Sequence, residues 1–154
     1  MKEYLVEFFQ FNDWAIRKIL ETVAALPSKD EPVRLVSHMI IAQKKWFNRI
    51  VKEVPDSSLP WIGQIFSLEE CRSMWKSQTE RWINFLKGCS EADLRKDIVY
   101  QSSEGGKFSS TVTDIALQLN YHAIHHRAQI MTMIRQQGIT PPPLDYILLR
   151  RETL

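Results

Sequence analysis

The chain has 154 residues, 44% hydrophobic and 25% charged, enough for one apolar core closed without disulfide or metal staples. Against 18 acidic side chains stand 20 basic ones spread along the sequence, a formal net charge of +2, so neither nucleic acid nor an anionic membrane is indicated as a partner. Only 5 glycines argue against a turn-rich all-β protein, and no apolar run reaches the roughly 20 residues of a membrane span.

Cys71 and Cys89 are too far apart for a CxxC redox or zinc motif. The N-terminal MKEYLVEFFQ lacks an uninterrupted apolar signal segment. A cytoplasmic protein with reduced thiols is expected, folded as a single domain over residues 1–154.

A first helical stripe, Leu5, Phe8, Phe9, Ala15, Ile16, Ile19, Leu20 and Val23, stops before Pro27. Asn12 falls inside it, so its amide must find an interior partner. Asp30 is the N-cap candidate of a second helix running from about Pro32 to about Glu53, with Glu31 and Pro32 in its first turn. Its core stripe is Leu35, Val36, Met39, Trp46, Phe47, Ile50 and Val54, with His38 on the flank. Lys44, Lys45 and Arg49 form the densest basic group and read as a solvated helix face.

After a proline-bearing loop from Pro55 to Trp61, Ser67 and Glu70 match a capping box. The third helix starts there, and Leu68, Cys71, Trp75, Gln78, Trp82, Phe85 and Cys89 step by three and four as a core seam. Both cysteines read as small core residues. Between about Ser90 and Ser110 the helical period disappears, leaving a short irregular hairpin or an ordered loop.

Thr111 and Asp114 repeat the capping-box spacing, and Gly138 before three prolines supplies a stop, so a fourth helix spans about Thr111 to Gln137. Leu144, Tyr146, Ile147, Leu148 and Leu149 in the tail should dock on the helices or on a partner. The expected fold is all-α, a four-helix bundle with a long connection between helices three and four that lies where it could cover one end.

Three of the 4 histidines lie together, at His122, His125 and His126. The core stripe of their helix is Ile115, Leu119, Ala123, Ile130, Met133 and Ile134. At 100° per residue His126 falls near its centre, His122 toward one edge and His125 outside it. His122 and His126, four apart, stack on one face with Cβ atoms about 5 to 6 Å apart, a spacing that lets two imidazoles share an ion. Gln129 is the main other inward polar group expected on this helix. His38 on the second helix is compatible with facing the pair across the core, and equally with a half-exposed residue bonded to water.

Phe11-Asn12-Asp13-Trp14, Leu35-Val36-Ser37-His38 with Trp46, Asn120-Tyr121-His122, His126-Arg127-Ala128-Gln129-Ile130 and the tail Asp145-Tyr146 together resemble the DinB family, also described as DinB/YfiT-like metalloenzymes. The resemblance covers nearly the whole chain, and its helix-four motif is the most specific part. It implies a four-helix bundle with one long crossover, frequently a homodimer, and three metal ligands falling on His38, His122 and His126. Gln43 departs from the family pattern, in which an acidic residue is usual.

Three neutral imidazoles would leave one divalent ion an open coordination position, the arrangement of catalytic zinc, although zinc, nickel and iron are not distinguished by such ligands. The resemblance implies a metal-dependent enzyme, either a thiol-dependent S-transferase, taking a small-molecule substrate with a low-molecular-weight thiol, or a hydrolase. A non-catalytic metal-binding or stress-response module and a plain structural bundle are the alternatives. No general base stands out beside the histidines. Asn12 and Gln129 are candidates to line the pocket or orient a ligand ring, Trp46 to form a wall, and Arg127 to pair with an acid or hold an anion.

Overall fold

The computed structural model describes residues 1–61, 63–102 and 104–152, so the last two residues of the expected tail lie outside it. The chain is predominantly helical. In order come α1 (Lys2–Val23), α2 (Asp30–Val51), a single 3₁₀ turn (Asp56–Ser58), α3 (Leu68–Gly88) and α4 (Glu91–Leu94). Strands β1 (Asp97–Gln101) and β2 (Lys107–Thr111) follow, then α5 (Val112–Gln136) and α6 (Tyr146–Arg150). Among the described residues no helix is long and apolar enough to cross a membrane.

The four long helices interlock through the apolar faces their sequences encode. Helix α1 packs along α3 and α5, and α2 packs along the same two. Leu5, Phe9, Ile16, Ile19 and Leu20 of α1 are buried, as are Leu35, Val36 and Met39 of α2. Trp82 of α3 stacks on Phe9 at 5.4 Å and meets Phe47 edge-on at 5.1 Å, filling the core with rigid rings. Cys71 and Cys89 are buried free thiols whose pKa values burial raises, consistent with packing rather than chemistry.

Side-chain caps begin three of the helices. Ser67 with Glu70 and Thr111 with Asp114 form the reciprocal bonds expected of them, and Ser90 with Asp93 forms a third box that starts α4. The spacing Ser90-x-x-Asp93 marks α4, but a single turn with one buried residue, Leu94, shows no helical period. The rest of the 90–110 region is the hairpin, antiparallel with Tyr100 opposite Phe108 and turning through Gly105 at φ +89°. Gly138, at φ +76°, ends α5 as expected.

Helix α2 departs from expectation at both ends. Asp30 is its first residue rather than its cap, which is Lys29 without a side-chain bond. Its C-terminus comes at Val51, where Lys52 turns left-handed at φ 57°. The Asn48 amide then grips the Val54 backbone on both sides, at 2.9 and 3.0 Å. Val54 therefore leaves the stripe and is exposed, while Trp46 and Ile50 are only partly buried.

Lys45 and Arg49 do not form a solvated face. They are 5% and 6% exposed and converge on the 3₁₀ turn. Lys45 Nζ donates to the carbonyls of Asp56 and Leu59 at 2.8 and 2.5 Å. Arg49 forks onto the Asp56 carboxylate, at 3.2 Å through each of two nitrogens, and reaches the Gln101 carbonyl at 2.8 Å. Its guanidinium also lies over the rings of Trp46, Trp61 and Tyr100. Charge counting along the sequence cannot see this, because the loop that buries the two cations returns to them from further along the chain. The clamp fastens the segment carrying Trp61 between α2 and the hairpin. In the tail, Leu144 is buried and Arg150 pairs with Glu7 at 3.3 Å, while Ile147 and Leu149 stay exposed.

Candidate metal centre

Helices α2 and α5 lie side by side, and their facing flanks bring three imidazoles to one point. The Nε2 atom of His122 is 3.1 Å from Nε2 of His38 and 3.0 Å from Nε2 of His126. All three ligand nitrogens lie within 4.8 Å of one another, and each residue is partly buried. Tetrahedral nitrogens at the usual zinc bond length of roughly 2.0 to 2.1 Å stand about 3.3 to 3.4 Å apart, so the two separations at His122 need adjustments of only a few tenths of an ångström.

Hydrogen bonding alone satisfies this cluster poorly. Nδ1 of His126 donates to Oε1 of Gln129 at 2.7 Å, which leaves the Nε2 lone pair of a neutral ring facing its neighbours. A single proton on His122 Nε2 would then have to serve both adjoining nitrogens. A divalent cation accepts all three lone pairs at once, so the residues present fit a metal ion.

Burial pushes the His122 imidazole down to about 4, with repulsion from His126, His38 and His125 adding to it. His38 is also lowered, first by burial and then by His126, against a raising backbone hydrogen bond at Trp61. Burial likewise lowers His126, opposed by the bond to Gln129, with His125 and Arg34 adding to the decrease. His122 is therefore uncharged near neutral pH, the form that ligates metal. Since the unfolded ring titrates near 6.5, unfolding takes up a proton below that value. The His122 contribution to the stability of the metal-free protein is thus expected to be lost as the pH falls from about 6.5 to about 4. Denaturant midpoints across this range check the trend, which should be shallower in His122→Ala.

A cavity of about 520 Å³ opens over His38 and His126. Leu35, Ile41, Trp61 and Met133 form apolar walls, and Arg34, Gln64 and Gln129 contribute polar groups. Among the described residues that line it there is no carboxylate. Ser37, beside His38 in the chain, is buried, and its hydroxyl accepts from the Phe66 N–H at 3.0 Å.

The other candidates sort as follows. His125 is exposed and outside the cluster, 3.4 Å from Gln129 Nε2. His126 is not at the centre of the buried stripe but on its flank, and Arg127 takes the centre at 6% exposure. The polar residues Asn120 and Arg127 belong to that stripe, and a count of apolar positions leaves them out, which displaced the expected centre. Gln129 is exposed rather than inward, yet it holds the His126 ring and borders the cavity. Gln129→Ala is expected to weaken zinc binding about 10- to 100-fold, measured by competition with a chromophoric chelator.

Asn12 joins a separate buried network, accepting from Arg127 Nη1 at 2.7 Å and donating to Asn120 Oδ1 at 2.7 Å. None of these bonds reaches a histidine. Arg127 therefore pairs with a neutral amide, and burial lowers its pKa to about 10, still charged at neutral pH. Trp46 packs edge-on to Trp61 and Tyr100, and it is Trp61 that lines the cavity. Gln43 is buried, and its carbonyl backbone receives Trp82 Nε1 at 3.3 Å.

The family model for the DinB family matches residues 1–153. The chain belongs to the DinB family. One relative is Protein DinB of Bacillus subtilis (strain 168), 22% identical over 162 aligned positions that cover 95% of this chain and 93% of that protein. No solved structure matches the chain. For this DinB-family chain, the match spans α1 through α6 and so includes every residue of the histidine cluster.

Proposed function

We propose that this DinB-family protein is a metal-dependent enzyme. In this reading His38, His122 and His126 hold one divalent ion through Nε2, within a single-domain four-helix bundle made of α1, α2, α3 and α5. The observation that carries it is the convergence of three ring nitrogens beneath a cavity large enough for a small molecule.

When bound, the ion would supply a Lewis-acid centre able to lower the pKa of a coordinated water toward about 7 or to favour a thiolate. The chain's own residues do the rest. Gln129 holds His126 in the tautomer that presents Nε2, Trp61 and Leu35 limit access of water, and the apolar walls seat a carbon skeleton. Transfer to or from a low-molecular-weight thiol suits this site better than hydrolysis. A thiolate brings its own nucleophile, whereas water attack benefits from a general base, and among the described residues no carboxylate lines the cavity.

That same lack of a base supports a second reading, a metal-binding or stress-response module without turnover. A homodimer in the cytoplasm belongs to the proposal in either case. Its interface would use the face of α1, α5 and α6, where Tyr4, Tyr121, Tyr146 and Ile147 stay exposed.

Elemental analysis of protein purified without chelators should give close to one equivalent of metal, and a plain structural bundle would give none. Assays of the metal-loaded protein across a panel of thiols and electrophiles then separate the enzyme from the module. Turnover that disappears in His38→Ala supports the first, and full metal content without turnover on any pair supports the second.

A further inference from the structure

Arg34 precedes His38 by four residues on α2, so the two side chains project from one face a single turn apart. Both border the 520 Å³ cavity. The guanidinium is braced from outside by Glu31, whose carboxylate takes Nε at 2.9 Å and Nη2 at 2.7 Å. This leaves both hydrogens of Nη1 and one of Nη2 without a partner among the described residues, on a group that offers five donors in a fixed planar fork.

The remainder of the cavity is chemically one-sided. Gln64 and Gln129 are neutral, Leu35, Ile41 and Trp61 are apolar, and among the described residues that line it there is no carboxylate, Glu31 pairing with Arg34 from outside the cavity. A divalent ion on three uncharged imidazoles would add to the same sign of charge. A cationic ligand would meet repulsion from every charged group there, and a neutral one would leave the Arg34 fork unused.

We propose that the cavity takes a small organic anion with an apolar body, its carboxylate received by the free edge of Arg34 and its other end directed at the histidine cluster. The ligand class rests on the reading of that cluster as a metal site for its second anchor, whereas the Arg34 contact does not depend on metal. Arg34 is thus the residue that selects for charge, and Glu31 is the brace that keeps its fork turned.

The test uses hexanoate and its neutral counterpart hexanamide as probes. Both are titrated by calorimetry into the full chain with and without zinc, in wild type, Arg34→Gln and Arg34→Lys, and each protein is separately titrated with zinc alone. Wild type should prefer hexanoate by about 3- to 10-fold, the range of a half-exposed charge-assisted pair. Arg34→Gln should abolish the preference and Arg34→Lys should restore part of it, while zinc affinity stays within about threefold of wild type, since Arg34 does not touch the ion. In zinc-free protein, equal affinity for the two probes, no binding of hexanoate, or a preference that survives Arg34→Gln would overturn the proposal. If the protein takes up no zinc yet keeps an Arg34-dependent preference, the metal-site reading fails and the anion site stands.

Discussion

Replacing His122 with alanine is expected to lower zinc affinity by roughly 100- to 1,000-fold, the share of one ligand in a three- or four-ligand site whose total binding free energy is about 10 kcal/mol or more. His122 is the sharpest probe because its Nε2 is the nitrogen that touches both others, at 3.1 and 3.0 Å. His125→Ala, three residues away on the same helix but exposed and outside the cluster, should leave zinc affinity unchanged. Chelator competition on the two variants reads the difference directly. Because His122 is held uncharged by burial, its removal should also make the metal-free protein less sensitive to acid, so loss of metal cannot be ascribed to loss of fold. Equal affinities for the two variants would remove His122 from the site.

The second large effect concerns stability. Asn12→Ala should cost on the order of 3 kcal/mol, because it strands the Arg127 guanidinium in the core without its acceptor. The amide is 2% exposed and stands between Arg127 Nη1 and Asn120 Oδ1, and Asn120 in turn donates to the Ala116 carbonyl at 2.8 Å. No acidic side chain forms an ion pair with Arg127 among the described residues, and beside Asn12 the charge meets the Phe11 ring face, 4.8 Å away. Asn12→Asp, which keeps an acceptor and adds a counter-charge, should lose much less. The double replacement Asn12→Leu with Arg127→Met should recover part of the deficit, since it removes the stranded charge but leaves Asn120 Oδ1 without its donor. Urea denaturation with a common m-value measures all three. An Asn12→Ala loss below about 0.5 kcal/mol would mean that the network carries little of the fold, since that is the ordinary scatter of surface substitutions.

The helical elements were legible because their signals are local. The capping spacings at Ser67 and Thr111, the apolar stripes and the Gly138 stop each depend on residues within a few turns of one another, and the caps, the stop and most stripe positions correspond to what forms. Asn12 was recognisable as an interior amide from its place in the first stripe, but its partners Asn120 and Arg127 lie more than 100 positions away and no periodicity names them. The same limit hid the Lys45 and Arg49 clamp, where two charges are buried only because Asp56 folds back over them. His122 and His126 were linked by spacing on one helix. His38 came from the family resemblance, since facing between α2 and α5 is a property of packing rather than of either sequence segment. The misplacement of His126 at the stripe centre came from the same source, a buried arginine that hydropathy assigns to the surface. Arg34 was not singled out because an arginine near the start of a helix, three residues after a glutamate, carries the signature of an ordinary surface pair.

The central claim is that three ring nitrogens hold one ion, and diffraction data collected on both sides of a metal absorption edge address it most directly. The account predicts a single anomalous peak per chain, about 2.0 to 2.3 Å from Nε2 of His38, His122 and His126, the range of nitrogen bonds to first-row divalent metals. A protein of full metal content whose peak lies elsewhere, or a cluster that stays without a peak after soaking in zinc, would contradict it.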